Sequence, residues 1–284
     1  MEFLQPRTWA DALSAKAEHP AALPIAGGTD VMVDLNFDRV RPAALLDLTG
    51  VDDLIHWEMD GGTVRLGAGV TYSRVIAELA AILPALAMAS RTVGSPQIRN
   101  RGTVGGNLGS ASPAGDAHPP LLAGDAVVEV ESIRGPRAIP IAEFFTGVKE
   151  NVLQPDELIK AVLVPTASGP QQFAKIGTRN AMVIAVSSFA VALRPGERRV
   201  GTGIGSAAPT PRRAEGAEEF ASEALDWEGR TQLSEEVAER FGGLVAAAAA
   251  PIDDVRGTAA YRRHSLAVLA RRTLGWAWSA YQRS

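Results

Sequence analysis

The run Arg101-Gly102-Thr103-Val104-Gly105-Gly106-Asn107-Leu108-Gly109-Ser110-Ala111-Ser112-Pro113-Ala114-Gly115-Asp116 sets fourteen uncharged residues between an arginine and an aspartate. A connection this long without secondary structure of its own is either functional or disordered, and the apolar elements on both sides of this one predict an ordered, functional loop. Its hydroxyls (Thr103, Ser110, Ser112), its amides and the closing Asp116 suit a diphosphate joined to a ribose diol, whose hydroxyls a carboxylate accepts. A disordered loop is the alternative. Upstream, Ala26-Gly27-Gly28-Thr29-Asp30 follows a strand predicted over 21–26. Adjacent glycines there allow backbone N–H groups to converge on an anion, with the Thr29 hydroxyl beside them. The segment is neither a GxGxxG fingerprint nor a GxxxxGK[ST] loop, and an ordinary tight turn is the alternative.

Outward from these two segments the chain falls into three parts. Residues 9–13 open a helix capped by Thr8, 40–48 read as a strand, and Gly61-Gly62 divides 55–59 from 64–69 as a hairpin would. A subdomain boundary is expected near residue 57. Apolar positions at helical spacing run from Tyr72 to Ser90, with Pro84 ending or kinking the helix. A short helix over 119–123 and strands over 126–132 and 158–164 follow. The turn-prone stretch 166–170 marks the second boundary. Beyond it lie three strands (172–176, 184–193, 199–205) and three helices (215–225, 234–249, 259–281).

Composition narrows the function. Lys and Arg total 28 against 32 Asp and Glu, a net charge of −4, and no basic block interleaved with aromatics offers a nucleic-acid groove. The longest uncharged apolar run, Ala181 to Leu193, is too short to span a bilayer. The first residues show no basic segment followed by an apolar one, so a cytoplasmic protein is expected. There is no cysteine, which removes thiolate metal sites, iron–sulfur ligation and cysteine nucleophiles from this chain. The four histidines (His19, His56, His118, His264) are scattered without metal-ligand spacing and are read as structural. No GxSxG elbow is present. Paired acids such as Glu218-Glu219 and Asp253-Asp254 read as solvated faces or turns.

Taken together, AGGTD at 26–30 and QIRNRGTVGGNLGSASPAGD at 97–116 resemble the paired signatures of the FAD-binding medium subunits of molybdenum hydroxylases, a group that includes carbon monoxide dehydrogenase medium chains and the flavin domain of xanthine dehydrogenase. The likeness continues in order through GAGVTYSRV (67–75), PPLLAGDAVVEV (119–130), FAKIGTRNAMVIAVSSFAVAL (173–193) and YRRHSLAVLARRTL (261–274).

The resemblance implies an α+β architecture: an FAD-binding fold of the vanillyl-alcohol-oxidase (PCMH) type in two subdomains, 1–57 and 58–168, and a C-terminal antiparallel sheet and helices domain, 169–284. It implies that Ala26, Gly27, Gly28, Thr29 and Asp30, with Thr103, Val104, Gly105, Gly106 and Asn107, cradle the FAD pyrophosphate through backbone amides. Ser110 and Asp116 then match positions on the cofactor's sugar and phosphate side, Ile159 an apolar position touching the flavin, and Lys175 a lysine near its isoalloxazine end. The plain alternatives for the last two are a core isoleucine and a surface lysine. Several relatives carry Ser where this chain has Asp30, whose carboxylate would repel a diphosphate unless it turns away. No catalytic residue and no metal site is assigned to this chain. The implied partners are a large molybdenum-cofactor subunit and a small [2Fe–2S] subunit, in a dimer of heterotrimers. A free-standing FAD-dependent oxidase or dehydrogenase and an interaction subunit that has lost FAD are the rival readings.

Overall fold

A computed structural model describes residues 1–284. The chain begins β1 (Glu2–Leu4), α1 (Trp9–Glu18), β2 (Leu23–Ile25), α2 (Val31–Asn36) and β3 (Ala44–Asp47). The three strands form a parallel sheet in the order β1-β3-β2, the arrangement that helical crossovers such as α1 and α2 permit. Thr8 caps α1, its hydroxyl accepting from the Asp11 amide.

β4 (Trp57–Asp60) and β5 (Thr63–Gly67) form the expected hairpin, and Gly61 and Gly62 both take positive φ in its turn. Five helices follow: α3 (Tyr72–Glu78), α4 (Pro84–Thr92), α5 (Pro96–Arg101), α6 (Val104–Ser110) and α7 (His118–Ala123). Pro84 splits the expected helix in two by starting α4, where its missing N–H costs nothing. Then come β6 (Val127–Ser132), β7 (Gly135–Pro140), α8 (Ile141–Phe144), the small hairpin β8 (Phe145–Gly147) and β9 (Glu150–Asn151), and β10 (Leu158–Pro165). An antiparallel sheet orders these as β4-β5-β10-β6-β7. One core of 33 buried residues, running from Trp9 to Val164, lies beneath both sheets. Trp9 in α1 also donates its indole N–H to Glu131 in β6 at 2.8 Å.

The remainder is β11 (Gln171–Gly177), β12 (Ala185–Arg194), β13 (Arg199–Gly205), α9 (Glu215–Ala224), α10 (Glu235–Ala248) and α11 (Ala259–Gln282). The three strands form an antiparallel meander. β12 is buried at all ten positions because α11 covers one face while α7 and α4 cover the other. This explains why the strand carries no charge before Arg194 and why its buried Ser187 pairs with Ser265 on α11 at 2.7 Å. A second core of 21 residues fills the space under the helices, with Trp227 and Trp278 packed edge to face and Tyr281 tilted against both. Glu218 departs from the solvated reading. It is buried and accepts from the Thr202 amide (2.7 Å), the Thr202 hydroxyl (2.6 Å) and the Arg213 guanidinium (2.7 Å).

The two cores meet along α7. A small apolar seam of Ala85, Ala89, Ala123, Phe173, Ala190 and Ala192 joins them. α7 lies so close to β13 that a Cβ at Gly201 would overlap the Ala123 carbonyl and one at Gly203 the Pro119 carbonyl. Both ends of α7 are held. Before its start, the Ser206 amide donates to the Pro113 carbonyl at 2.8 Å. After its end, Arg194 reaches the Ala123 carbonyl (3.0 Å) and Asp125 (2.9 Å), and Arg213 also pairs with Asp125.

The Gly203→Ala variant is expected to lose about 1–3 kcal/mol, because the methyl must displace backbone. Gly243→Ala, at an open position within α10, should gain about 0.5–1 kcal/mol from helix propensity. Denaturant unfolding of both variants reads these opposite signs.

Candidate functional site

The fold presses the two glycine segments together. A Cβ at Gly27 would overlap the Arg101 carbonyl, and one at Gly102 would lie 3.5 Å from Thr29 Oγ1. Ala26 to Asp30 turn out of β2 into α2, with Gly28 at φ +73°, a conformation other residues resist. The amides of Gly27, Gly28, Thr29 and Asp30 have no acceptor inside the chain. Successive free N–H groups in such a turn form a concavity that attracts an anion. Asp30 stands at the start of α2, exposed, and its carboxylate caps no amide.

The second segment departs from the expected loop. Val104 to Ser110 form α6 despite three glycines in seven residues. Thr103 Oγ1 caps the helix by accepting from the Gly106 amide at 2.9 Å. Gly105 then lets the helix rest on Ala68, whose carbonyl accepts from the Gly105 amide at 3.2 Å. Tertiary contact here outweighs the poor helix propensity of glycine. The helix also engages the amides expected to cradle pyrophosphate: Val104 donates to Val70 O, Gly105 to Ala68 O, Gly106 to Thr103 Oγ1 and Asn107 to Thr103 O. Only the Thr103 amide in that stretch is left free. What α6 offers instead is bare backbone at Gly106 and Gly109, three residues apart on one face. Ile159 of β10 adjoins that face, its Cδ1 3.9 Å from where a Gly109 Cβ would be. Ser110 turns back to donate to the Asn107 carbonyl at 3.0 Å.

Asp116 and Lys175 come from opposite halves of the chain and form a buried ion pair at 2.5 Å, their side chains 8% and 7% exposed. Lys175 is therefore not a surface lysine. Its ammonium also donates to the Thr92 carbonyl at 3.0 Å, and the Thr92 hydroxyl donates to the same Asp116 oxygen at 3.1 Å. Burial pushes the Asp116 carboxyl above the usual range, opposed by Lys175 and Thr92. His118, the first residue of α7, is fully buried under α6 and donates from Nε2 to the Asn107 carbonyl at 3.1 Å. Burial holds its pKa down at about 4, against the pull of the Asn107 and Ser112 carbonyls.

Seven buried side-chain polar atoms in the chain lack a hydrogen-bond partner. Four belong to residues around this site: Tyr72 Oη, Asn107 Oδ1, Asp116 Oδ1 and His118 Nδ1. Of these four, the sequence singles out Asn107 and Asp116 and gives His118 only a structural reading; Tyr72, like Thr92 beside Asp116, is left without a role. Neither of the latter carries a signal of its own, since each acquires its place only when α3 and α4 pack beside the two loops.

Residues 1–167 match the family described as the FAD binding domain in molybdopterin dehydrogenase. The chain belongs to that family. Residues 172–277 match the CO dehydrogenase flavoprotein C-terminal domain. The putative xanthine dehydrogenase FAD-binding subunit of Escherichia coli strain K12 is 31% identical over 286 residues, covering 96% of this chain and 94% of that one. The nicotine 6-hydroxylase medium subunit of Paenarthrobacter nicotinovorans is 30% identical, covering 96% of each. Among solved structures, reconstituted CO dehydrogenase from Oligotropha carboxidovorans superposes with a TM-score of 0.92 at 27% identity, covering 99% of this chain and 98% of that one. The protein is thus an FAD subunit of the molybdenum hydroxylase type, with the mixed α and β fold expected. Its site suits that cofactor: free amides for phosphate, bare glycine faces for close approach, and unpaired buried polar atoms for hydroxyl and ring groups.

Two outcomes test the electrostatics. Lys175→Met should destabilise the fold by about 3–5 kcal/mol, because it strands a buried carboxylate. Adding Asp116→Asn should recover most of that loss, and the deficit of the single variant should shrink as falling pH protonates Asp116; denaturant midpoints at several pH values measure both. For His118, the buried ring takes up a proton less readily than the unfolded one. Its neutral form therefore contributes about 3 kcal/mol of stability that is complete above pH 6.5 and is lost as pH falls toward about 4. His118→Gln should remove about one proton from the uptake on unfolding in that window.

Proposed function

We propose that this chain is the electron-transfer subunit of a three-polypeptide molybdenum hydroxylase in the cytoplasm. A large molybdenum-cofactor subunit oxidises the substrate, a small subunit with two [2Fe–2S] clusters relays the electrons, and the FAD held here passes them to an external acceptor. The absence of cysteine supports the division of labour, since this chain has no thiolate for a cluster of its own. A dimer of such heterotrimers is the assembly the family likeness suggests.

The observation that carries this reading is the meeting of the two glycine segments at Gly27 and Arg101, beside the buried Asp116–Lys175 pair. FAD, when bound, supplies the capacity to exchange electrons singly or in pairs. The chain supplies position and electrostatics. In this proposal the free amides of Gly27 to Asp30 and of Thr103 hold the pyrophosphate, and the bare face of α6 at Gly106 and Gly109 lets the cofactor approach while Gly105 seats the helix on Ala68. Asn107, Ser110 and Asp116 meet the polar groups of the ribose and ribityl chain. Ile159 supplies an apolar wall for the flavin ring, and Lys175 sets a positive charge that its partner Asp116 holds in place.

Purification of the tagged chain from its native host, with a visible spectrum and iron and molybdenum assays on one sample, tests the proposal. The expected result is about one FAD per chain with stoichiometric iron and molybdenum and two co-purifying subunits. FAD with neither metal nor partners would instead support a free-standing flavoenzyme, and absence of FAD would leave both glycine segments structural.

A further inference from the structure

Tyr72 is the first residue of α3, directly after the Thr71 cap. Its backbone places it at the junction of the two glycine segments: the Tyr72 amide donates to the Gly102 carbonyl at 3.1 Å, and Thr71 pairs with Thr103 in an isolated bridge. The ring lies against Gly102, with Cδ2 3.4 Å from where a Cβ would be. The residue is 3% exposed, yet its hydroxyl makes no hydrogen bond. A buried phenol without a partner is a cost that folded proteins rarely leave in place.

The surroundings define what is missing. The charges that reach the phenol are both carboxylates, Asp116 and Asp30, and together with burial they hold it well above the usual tyrosine range. The hydroxyl is therefore a proton donor at every working pH. Asp116 is the complementary case, with Oδ2 taken by Lys175 and Thr92 while Oδ1 has no donor. One unpaired donor and one unpaired acceptor share the site without bonding each other. A group bearing both acceptor oxygens and hydroxyl donors satisfies the two together, and FAD, with its phosphates and its ribose and ribityl hydroxyls, is such a group.

We propose that Tyr72 contacts the cofactor directly, its hydroxyl donating a hydrogen bond to an acceptor oxygen of bound FAD. The inference rests on the FAD-binding reading above and extends it to a residue for which the motifs gave no role.

Tyr72→Phe in the full chain separates a cofactor contact from a structural one, because removing an unpaired buried hydroxyl leaves the ring and its packing intact. FAD is titrated by flavin fluorescence into wild type and variant after both are stripped of flavin, and thermal unfolding is recorded without FAD. The expected result is an FAD dissociation constant raised about 5- to 20-fold, with the unfolding temperature of the flavin-free protein unchanged or raised by up to about 3 °C. Equal affinity in the two proteins would overturn the proposal, leaving the hydroxyl to an ordered water. A flavin-free variant that unfolds at lower temperature would also overturn it, because the hydroxyl would then have a partner within the chain. Wild type that takes up no FAD would overturn the FAD-binding reading itself and this inference with it, whereas a variant that matches an FAD-binding wild type overturns this inference alone.

Discussion

Helix α7 is a six-residue wedge between two hydrophobic cores, and the rest of the molecule is arranged around its seat on the bare strand β13. One end of the wedge carries His118 beneath α6, next to Asp116 and its partner Lys175. The other end is tied down by arginines from the C-terminal half. Each half alone would leave one face of α7 exposed. The seat therefore fixes the relative position of the halves and, with it, the distance between an ammonium on β11 and a carboxylate just ahead of α7.

Around that wedge the site is assembled from polarity left over. Helix α6 consumes its own first-turn amides, the Ala26–Asp30 turn consumes none of its amides, and four buried side-chain atoms close by remain unpaired. A protein core seldom tolerates such a concentration of unmet hydrogen bonds unless a ligand completes it. The electrostatics are balanced with similar economy. Asp116 is an acid in a dry site, and Lys175 reaches it from a sheet whose opposite face belongs to another core.

Much of this was legible in the residues and part was not. The long C-terminal helices and the strands around them were legible, the helices from their length and apolar faces and β12 from an uncharged run that suits a strand covered on both sides. The glycine run from Gly102 to Gly115 read as a loop because its residues are poor helix formers; only the contact of Gly105 with Ala68 turns part of it into α6. β7 went unread because it contains Pro136 and Pro140, which an edge strand accommodates. Lys175 and Asp116 were singled out separately by resemblance, but nothing in their spacing announces that they touch. Glu218 looked like a surface acid since its partners, Thr202 and Arg213, are brought to it by β13 and the turn before α9.

The glycines of β13 give the join between the halves an unusual vocabulary. Most interfaces are specified by which side chains interlock, so that a change on one side asks for an answering change on the other. Here the closest approach is backbone to backbone, at Gly201 against Ala123 and Gly203 against Pro119. That strip is specified by shape, while the pairs flanking it, Asp116 with Lys175 and Asp125 with Arg194, are specified by charge. Side chains away from the strip, the apolar seam and these pairs are free to diverge without renegotiating the fit, so long as the strip stays bare.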